Sequence, residues 1–252
     1  MTAPYIGIAG WAIRREHADR FDGGDSHLER YATRFNAVEI NSSFYRPHKP
    51  ATYARWAASV PEQFRFAVKM PRTITHNKRL RGADDELARF ADEARALGNK
   101  LGPILIQLPP SLVFDAPISR AFFATCRERF SGLLACEPRH ASWFGAAADK
   151  TLAGFRIARV AADPAGVPQA ATPGGWSGLV YYRLHGSPRM YYSAYEPAFL
   201  EQLARDLAER SRKASAWCIL DNTALGAATG DALEIVRLLA GKTRIGARRI
   251  PA

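Results

Sequence analysis

Eight short apolar segments, each long enough for one β-strand, recur along a chain of 252 residues. They start roughly 30 residues apart on average, which is the length of one strand–helix unit. Several are apolar at consecutive positions, as strands buried on both faces are. The segments are 5–9, 37–40, 65–68, 104–108, 133–136, 156–160, 179–184 and 217–220.

Amphipathic helical patterns lie between these segments. Leu28, Tyr31, Ala32 and Phe35 have the i, i+3, i+4, i+7 spacing of a helix face, and the spacing recurs in 87–94, 200–207 and 232–239. Alternating strands and helices predict an α/β fold with a parallel sheet. Eight repeats of this length favour a single closed TIM-type (β/α) barrel over an open doubly wound sheet. The glycine-rich phosphate-binding motifs of nucleotide-binding folds do not occur in the sequence.

Two stretches depart from the repeat. Residues 163–178 are too rich in proline and glycine for a helix, so we expect an irregular connection between strands six and seven. Residues 242–252 carry four basic side chains and no acidic one, and we predict a disordered basic tail there. No linker divides the chain, so the sequence predicts one domain over 1–252.

The charge and the cysteine content predict the partners and the cellular compartment of the protein. The 35 basic and 24 acidic residues give a net charge of +11, which favours anionic partners such as phosphorylated metabolites or nucleic acid. The three cysteines form no closely spaced pair, and no apolar run approaches the ~18 residues of a membrane span. The N-terminus also lacks the pattern of a secretion signal. We therefore expect a reduced, cytoplasmic protein with no membrane partner.

Polar side chains stand at the predicted carboxyl ends of seven of the eight strands, where barrels of this type carry their active sites. Burying such a group unpaired costs about 2–7 kcal/mol, so a purely structural barrel would not need them all at one end. The strand-end residues are Glu39, Asn41, Lys69, Arg72, Gln107, Glu137, Arg139, His140, Asp163, Arg183, His185, Asp221 and Asn222.

The motifs at these strand ends resemble those of one known family. Residues 38–45 read VEINSSFY, 102–110 read GPILIQLPP, 137–140 read EPRH and 182–186 read YRLHG. Together with FAVK at 66–69 and DNTA at 221–224 they look like the domain-of-unknown-function 72 family, the YecE-like proteins. The resemblance covers nearly the whole chain and implies a TIM barrel. It implies no activity, so the function has to be sought in the residues themselves.

The first interpretation of the strand ends is an anion-binding pocket, because the planar fork of arginine binds phosphate or carboxylate oxygens two at a time. The predicted anion ligands are Lys69, Arg72, Arg139 and Arg183, and the predicted polar neighbours are Asn41, His76, Gln107 and Asn222. Lys78, Arg79 and Arg81 are interpreted as a solvated basic face instead. If Arg183 binds the anion, its replacement should abolish binding and leave the fold intact.

The second interpretation is a divalent metal site. Glu137, Asp163, His185 and Asp221 end four consecutive strands, and carboxylate and imidazole ligands suit Mg, Mn or Zn. Glu137 has alternative partners in Arg139 and Arg183, and no tight local ligand spacing is present. The sequence therefore allows a divalent metal but requires no cofactor.

The third interpretation is acid–base catalysis without a metal. Glu39 and Glu137 come from non-adjacent strands, and two carboxylates ~5–9 Å apart are what glycoside hydrolysis requires. His140 and His185 are candidates for proton transfer near neutral pH. A desolvated Lys69 at a strand end could form a Schiff base. Flat apolar surfaces for a sugar or base would come from Trp11, Tyr45 and Trp143.

Together these interpretations predict an enzyme, a hydrolase, lyase or isomerase, that acts on a phosphorylated or sugar-like anionic substrate at the C-terminal rim of the barrel. The candidate catalytic residues are Glu39, Glu137, His140, His185 and Asp221. The alternative is a nucleic-acid-binding protein without catalysis, which the net charge and the aromatic side chains would suit. A closed pocket at the rim favours the enzyme, and basic residues along a groove favour the alternative.

Overall fold

The structure, a computed structural model, describes residues 3–246, with side chains as far as Gly241. Within that range strands and helices alternate as predicted. The strands are β1 (Tyr5–Ile8), β2 (Ala37–Ile40), β3 (Arg65–Lys69), β4 (Leu101–Gln107), β5 (Leu134–Glu137), β6 (Ile157–Arg159), β7 (Ala161–Asp163), β8 (Gly174–Gly175), β9 (Leu179–Leu184) and β10 (Ser215–Leu220). The α-helices are α1 (His27–Ala32), α2 (Pro50–Ala58), α3 (Asp84–Arg95), α4 (Ala116–Arg129), α5 (Ala146–Gly154), α6 (Pro197–Arg210) and α7 (Ala227–Gly246).

Parallel pairing closes the strands into a barrel. β2 to β6 pair in chain order in a six-stranded sheet that also holds β8, and β1, β10, β9 and β7 pair in that order in a four-stranded sheet. Ala9 bridges Glu39 in parallel, and the Gly10 N–H donates to the Glu39 carbonyl at 2.9 Å, which joins the two sheets on one side. The TIM-type barrel predicted from the repeat is confirmed.

The sixth strand of the barrel is split at Val160, which joins the two sheets on the other side. β6 pairs with β5, β7 pairs with β9, and the Val160 N–H donates to the Cys136 carbonyl at 2.8 Å. Residues 164–178, all of them described, contain a short 3₁₀ turn and β8 but no α-helix. The irregular connection before β9 is therefore as the proline and glycine content predicts.

Every second residue of a strand points into the barrel, because successive residues of a strand point to opposite faces. The inward residues that precede the strand ends form an apolar cluster that is separate from the larger core of the molecule. It contains Ala37, Ala67, Leu105, Ala135, Ala158, Val160, Leu179, Tyr181, Trp217 and Ile219. Two residues further along five of these strands, the inward positions carry Glu39, Lys69, Glu137, Arg183 and Asp221. The alternation thus brings these five side chains to one end of the barrel.

Local capping signals fix where helices start relative to the strands. Ser26 begins α1 with a capping box, in which its Oγ accepts from the Glu29 N–H and the Glu29 carboxylate accepts from the Ser26 N–H. Asp115 caps α4 by accepting from the Ile118 N–H at 3.0 Å.

The last helix includes part of the predicted tail. α7 continues to Gly246, so the backbone of 242–246 is helical where we predicted disorder, and residues 247–252 lie outside the described range. Across residues 3–246, no helix combines the length and the apolar content that crossing a bilayer needs.

Gly7 lies on β1 against the start of β2, and a Cβ there would be 2.2 Å from the Ala37 carbonyl oxygen. Because the two strands would have to move apart, we expect Gly7→Ala to lower the free energy of unfolding by about 1–3 kcal/mol in urea denaturation. Gly132→Ala is the control, since a Cβ at Gly132 meets nothing within 4 Å. Equal stability of the two variants would contradict the prediction.

Candidate active site at the barrel mouth

Arg183 is the centre of a buried ion-pair cluster at the carboxyl ends of the strands. Its side chain is 1% exposed and contacts one carboxylate on β2, one on β5 and one directly after β10. Nη2 lies 2.8 Å from Glu39 Oε1 and 2.9 Å from Asp221 Oδ2, and Nη1 lies 3.2 Å from Glu137 Oε2. Burial lowers the pKa of Arg183, but Asp221, Glu39 and Glu137 outweigh burial and raise it above its usual value. The guanidinium is therefore charged and fully engaged.

This arrangement contradicts the prediction that Arg183 binds an anion, because protein carboxylates already occupy its donors. It also removes support for catalysis by Glu39. The Glu39 oxygens accept from Arg183 Nε at 3.1 and 3.2 Å, and Oε2 also accepts from the Tyr181 hydroxyl at 3.0 Å. Since Arg183 bridges Glu39 and Glu137, the pair is not open to a glycosidic bond.

His185 follows Arg183 by two residues and lies between two carboxylates. Its Nε2 is 2.9 Å from Glu137 Oε1, and its Nδ1 is 3.0 Å from Asp221 Oδ2. Arg139 Nη2 lies 2.7 Å from the same Nε2 and also pairs with Glu137 Oε1. Both ring nitrogens are therefore held by charged side chains.

The surrounding cations keep two of the carboxyl groups ionised. Burial raises the pKa of Glu137, but Arg139, Arg183 and His185 more than reverse that effect and hold its pKa far below the usual value. Burial likewise raises the pKa of Asp221, and Arg183 and His185 lower it overall. Nearby cations thus stabilise the ionised form of each of the two carboxyl groups.

The predicted metal ligands do not form one coordination sphere. Among residues 3–246, no three His, Cys, Asp or Glu side chains are grouped so that they could hold a metal ion. Arg183 lies between Glu137 and Asp221, where a metal would have to bind. Asp163 points elsewhere, since its Oδ1 accepts from the Tyr195 hydroxyl at 3.0 Å. The metal alternative is wrong for this set of four residues.

A cleft of about 380 Å³ opens at the mouth, and Arg139 belongs both to its wall and to the ion-pair cluster. Arg139 Nε is buried and has no hydrogen-bond partner in the described part of the chain. His76 lines the cleft as well, and burial, Lys69 and Arg72 together lower its pKa. Gln107 and Tyr191 complete the polar lining. One wall of the cleft therefore carries the positive charge of Arg139.

The loop after β9 folds back over His185. Gly186 has φ +93°, and a Cβ there would lie 2.8 Å from the Ser193 carbonyl oxygen, so only glycine fits the turn. Tyr191 has φ +70°, an unfavourable conformation for a tyrosine, and its N–H donates to the His185 carbonyl. The Tyr191 ring meets the His185 ring edge-on at 5.8 Å. Strained residues of this kind occur preferentially at functional sites.

Comparison with known proteins shows to which family the chain belongs. A family model described as "Protein of unknown function DUF72" matches residues 5–252. The chain belongs to the DUF72 family. The resemblance inferred from the strand-end motifs is thereby confirmed, and the family description assigns no activity.

Two curated relatives of this DUF72 chain are bacterial. The UPF0759 protein YecE of Escherichia coli K12 is 36% identical over 105 residues, which are 42% of this chain and 37% of YecE. The UPF0759 protein YunF of Bacillus subtilis 168 is 28% identical over 148 residues, which are 56% of this chain and 52% of YunF. The matches thus span about half or less of the length of these relatives.

Solved structures similar to the DUF72 chain share its fold. A DUF72 family protein of Enterococcus faecalis V583 has a TM-score of 0.77 at 21% identity, covering 95% of this chain and 98% of that one. A DUF72 family protein of Thermotoga maritima MSB8 has a TM-score of 0.76 at 22% identity, covering 95% and 100%. A xylose isomerase-like TIM barrel fused to 4-hydroxyphenylpyruvate dioxygenase has a TM-score of 0.51 at 12% identity, covering 100% and 45%. At these identities the likeness shows the fold alone.

Three predicted site residues of the DUF72 chain have structural roles. Trp143 is buried in the core, where its Nε1–H donates to the Leu112 carbonyl at 2.8 Å. His140 Nδ1 accepts from the Ser142 N–H at 3.2 Å and so caps a short 3₁₀ turn. Asn222 Nδ2 donates to Asp231 Oδ2 at 2.7 Å and to the Ser193 carbonyl at 2.9 Å. These contacts hold loops in place and involve no member of the ion-pair cluster.

Other predicted binding residues stand after the strand ends, and their roles stay predictions. Tyr45 is 68% exposed, and Arg72 is also exposed. Trp11 packs edge-on against Trp56 with ring centroids 5.0 Å apart. Asn41 has a buried Oδ1 with no hydrogen-bond partner among the described residues.

Sequence reasoning missed two residues that contact the cluster or its neighbours. Tyr181 binds Glu39, and the Phe44 ring lies under Lys69. Tyr181 could have been found, because it precedes Arg183 by two residues on the same strand and must share its inward face. Phe44 lies in a turn after β2, where no periodicity predicts the direction of a side chain.

Proposed function

We propose that this DUF72 chain is an enzyme, a hydrolase, lyase or isomerase, that applies acid–base catalysis to a small phosphorylated or sugar-like anion in the cleft. The observation that carries the proposal is the setting of His185 Nε2, which has a hydrogen-bond partner for each of its protonation states. A buried group that exchanges protons needs such partners, because an unpaired buried polar atom costs about 1–3 kcal/mol.

The two partners of Nε2 are different in kind. Protonated Nε2 can donate to Glu137 Oε1, and unprotonated Nε2 can accept from Arg139 Nη2. A hydrogen on Nδ1 donates to Asp221 Oδ2 in either case. His185 is therefore the proposed proton carrier, and Glu137 and Asp221 are positioning residues that fix the ring and balance its charge.

The proposed ligand of the substrate anion is Arg139. Its place in the cleft wall supports direct binding of phosphate or carboxylate oxygens by the planar guanidinium. Exposed Arg72 adds positive charge on the side of His76. Because Arg139 also lies beside His185 Nε2, an anion bound there would bring the rest of the substrate near the proton carrier.

The size of the cleft favours a small substrate over a polynucleotide. About 380 Å³ is within the range of small-molecule sites, roughly 300–1,000 Å³. The residues that line it follow several different strands, which is how enzymes with this architecture build their sites. Nucleic-acid binding stays as the alternative that the experiment must separate.

Inorganic phosphate is expected to bind to the protein, and Arg139→Met is expected to weaken the binding by about tenfold or more, because a hydrogen bond to a charged group contributes roughly 1.5–3 kcal/mol. Isothermal titration calorimetry at neutral pH and low salt measures the dissociation constants. Arg139→Lys keeps a charge beside Glu137 but loses the fork, so an intermediate loss is expected.

The matched control is Arg81→Met, at an exposed arginine that does not line the cleft. It should bind phosphate as the parent protein does. Loss of affinity in Arg81→Met equal to that in Arg139→Met would show the anion site to be misplaced. Binding of a single-stranded oligonucleotide that both variants weaken equally would favour the nucleic-acid alternative.

A further inference from the structure

Lys69 is a buried lysine whose amine has no hydrogen-bonding or ionic partner in the described part of the chain. It ends β3, its side chain points into the barrel mouth, and it is 5% exposed. The contact recorded for Nζ is the face of the Phe44 ring, 4.2 Å from the centroid. Lys100 is a useful contrast, because it is 8% exposed yet donates to the Ala57 and Val60 carbonyls at 2.8 and 2.6 Å. An ammonium that serves only the fold is paired in the way that Lys100 is.

The surroundings of Lys69 favour the neutral, nucleophilic amine. Burial first and Arg183 second lower its pKa to about 8, although Glu39, Glu137 and Asp221 oppose them. The three carboxylates nearby are suited to stabilise a cation that forms later at the same nitrogen. Phe44 also contacts His76, with ring centroids 4.9 Å apart, and His76 lines the cleft. Phe44 therefore connects the amine to His76, which is a residue of the cleft wall.

We propose that Lys69 forms an imine with the carbonyl carbon of an aldehyde or ketone substrate that also carries a phosphate or carboxylate group. This inference rests on the proposed function, and it names the substrate class for the same cleft. Schiff-base formation is the chemistry that a desolvated lysine amine supplies to carbonyl compounds.

The reaction needs no oxidant or reductant. The amine nitrogen attacks the carbonyl carbon and forms a C–N bond, and the carbonyl oxygen gains a proton as the nitrogen loses one. The C–O bond of this carbinolamine then breaks, and the hydroxyl takes one further proton and leaves as water. The product is a protonated imine with a single positive charge, placed near Glu39, Glu137 and Asp221.

Formation of the imine would create a step at which proton transfer by His185 is needed. A protonated imine withdraws electrons from the neighbouring carbon, so a C–H or C–C bond there can break when a base removes a proton. His185 is the proton carrier of the cluster, and Asp221 connects the two residues, because it binds His185 and its pKa is lowered in part by Lys69. The inference thus favours a lyase or an isomerase over a hydrolase.

Trapping with glyoxylate and sodium cyanoborohydride tests the inference on the intact protein. Glyoxylate is the smallest aldehyde with a carboxylate, and the borohydride reduces any imine to carboxymethyl-lysine, which peptide mass spectrometry locates. At pH 8 an amine with a pKa of about 8 is half neutral. A lysine with the usual pKa of about 10.4 is neutral to well under 1%. We therefore expect Lys69 to react about tenfold faster or more than exposed Lys213 and buried Lys100.

The controls separate reactivity from simple access. Lys69→Arg keeps the positive charge and should lose the adduct at position 69 while Lys213 reacts as before. Propanal, which has no anionic group, should label Lys69 more slowly than glyoxylate does, and added phosphate should slow labelling by glyoxylate. Labelling of Lys69 no faster than that of Lys213 would overturn the inference.

The outcome also distinguishes the inference from the function on which it rests. If phosphate binds through Arg139 and Lys69 stays unlabelled, the imine is wrong and the acid–base proposal stands. If Lys69 is labelled rapidly but phosphate neither binds nor slows the reaction, the amine chemistry is supported and the anion site is wrong.

Discussion

Replacing Arg183 by methionine is expected to lower the free energy of unfolding by about 3–5 kcal/mol at pH 7, because Glu39, Glu137 and Asp221 would lose a shared buried cation. In a chain of this length, 1 kcal/mol corresponds to a change in Tm of about 2–4 °C. Thermal and urea denaturation should therefore show a fall in Tm of roughly 10 °C. The result would separate the structural role of Arg183 from the anion-binding role that its sequence position first indicated.

A surface arginine supplies the comparison for this result. Arg205 pairs with Glu201 on the exposed face of α6, at 3.7 Å, and Arg205→Met should cost less than about 1 kcal/mol. Arg183→Lys keeps the charge but cannot contact three carboxylates with one planar fork, so its stability should lie between the parent and Arg183→Met. A loss in Arg183→Met as small as that in Arg205→Met would refute the cluster's contribution.

The second large effect is a steep loss of stability in acid. Cations hold the pKa values of Glu137 and Asp221 below their usual values in the folded protein, against the opposing effect of burial. Below the pKa values of the unfolded chain, about 4.3 for Glu and 3.9 for Asp, the unfolded state binds protons that the folded state does not. Each group then removes up to about 1.4 kcal/mol per pH unit, so the two together remove up to about 2.7 kcal/mol per pH unit. Above pH ~5 this contribution is fully present.

Urea denaturation between pH 6 and 3 checks the acid effect, with the slope of free energy against pH as the measured quantity. Glu137→Gln should have a slope smaller by one proton, because the amide cannot titrate. Asp19→Asn, at an exposed position, should keep the slope of the parent. A parent protein whose stability does not change between pH 5 and pH 3 would show that Glu137 and Asp221 titrate alike in the folded and unfolded states.

The sequence predicts the fold because the strand–helix repeat is visible in the order of the residues without any knowledge of tertiary contacts. Buried strands show as apolar runs, and the large amphipathic helices α3, α6 and α7 show as spaced stripes. Two helices of nine residues, α2 and α5, were not predicted, since an alanine-rich sequence such as that of α5 has little contrast between its faces. The split at Val160 was also missed, because pairing with two different neighbours is decided by the closure of the barrel.

The sequence predicts the site only in part, because the position of a residue on a strand predicts where its side chain points but not which side chain it contacts. Strand ends and alternation bring Glu39, Lys69, Glu137, Arg183 and Asp221 to one end. Strand position does not predict that carboxylates occupy the donors of Arg183, or that Arg139 Nε has no partner among the described residues. That difference arises from distances across the barrel, between residues more than 40 positions apart in the chain. Trp143 and His140 were assigned to the site because they follow a strand end. Their contacts with Leu112 and Ser142 depend on loop geometry, which the sequence pattern does not predict.

The barrel consists of two sheets, and the ion pairs at its mouth connect one sheet to the other. Arg183 lies on β9 of the four-stranded sheet, and His185 follows the end of that strand. Glu39 and Glu137 lie on β2 and β5 of the six-stranded sheet. Their ion pairs therefore connect the two sheets across the mouth of the barrel. A proton or an anion that changes which charges are paired therefore also changes how firmly the two sheets are held together. The ion pairs that connect the two sheets and the chemistry proposed for the mouth thus depend on the same few atoms.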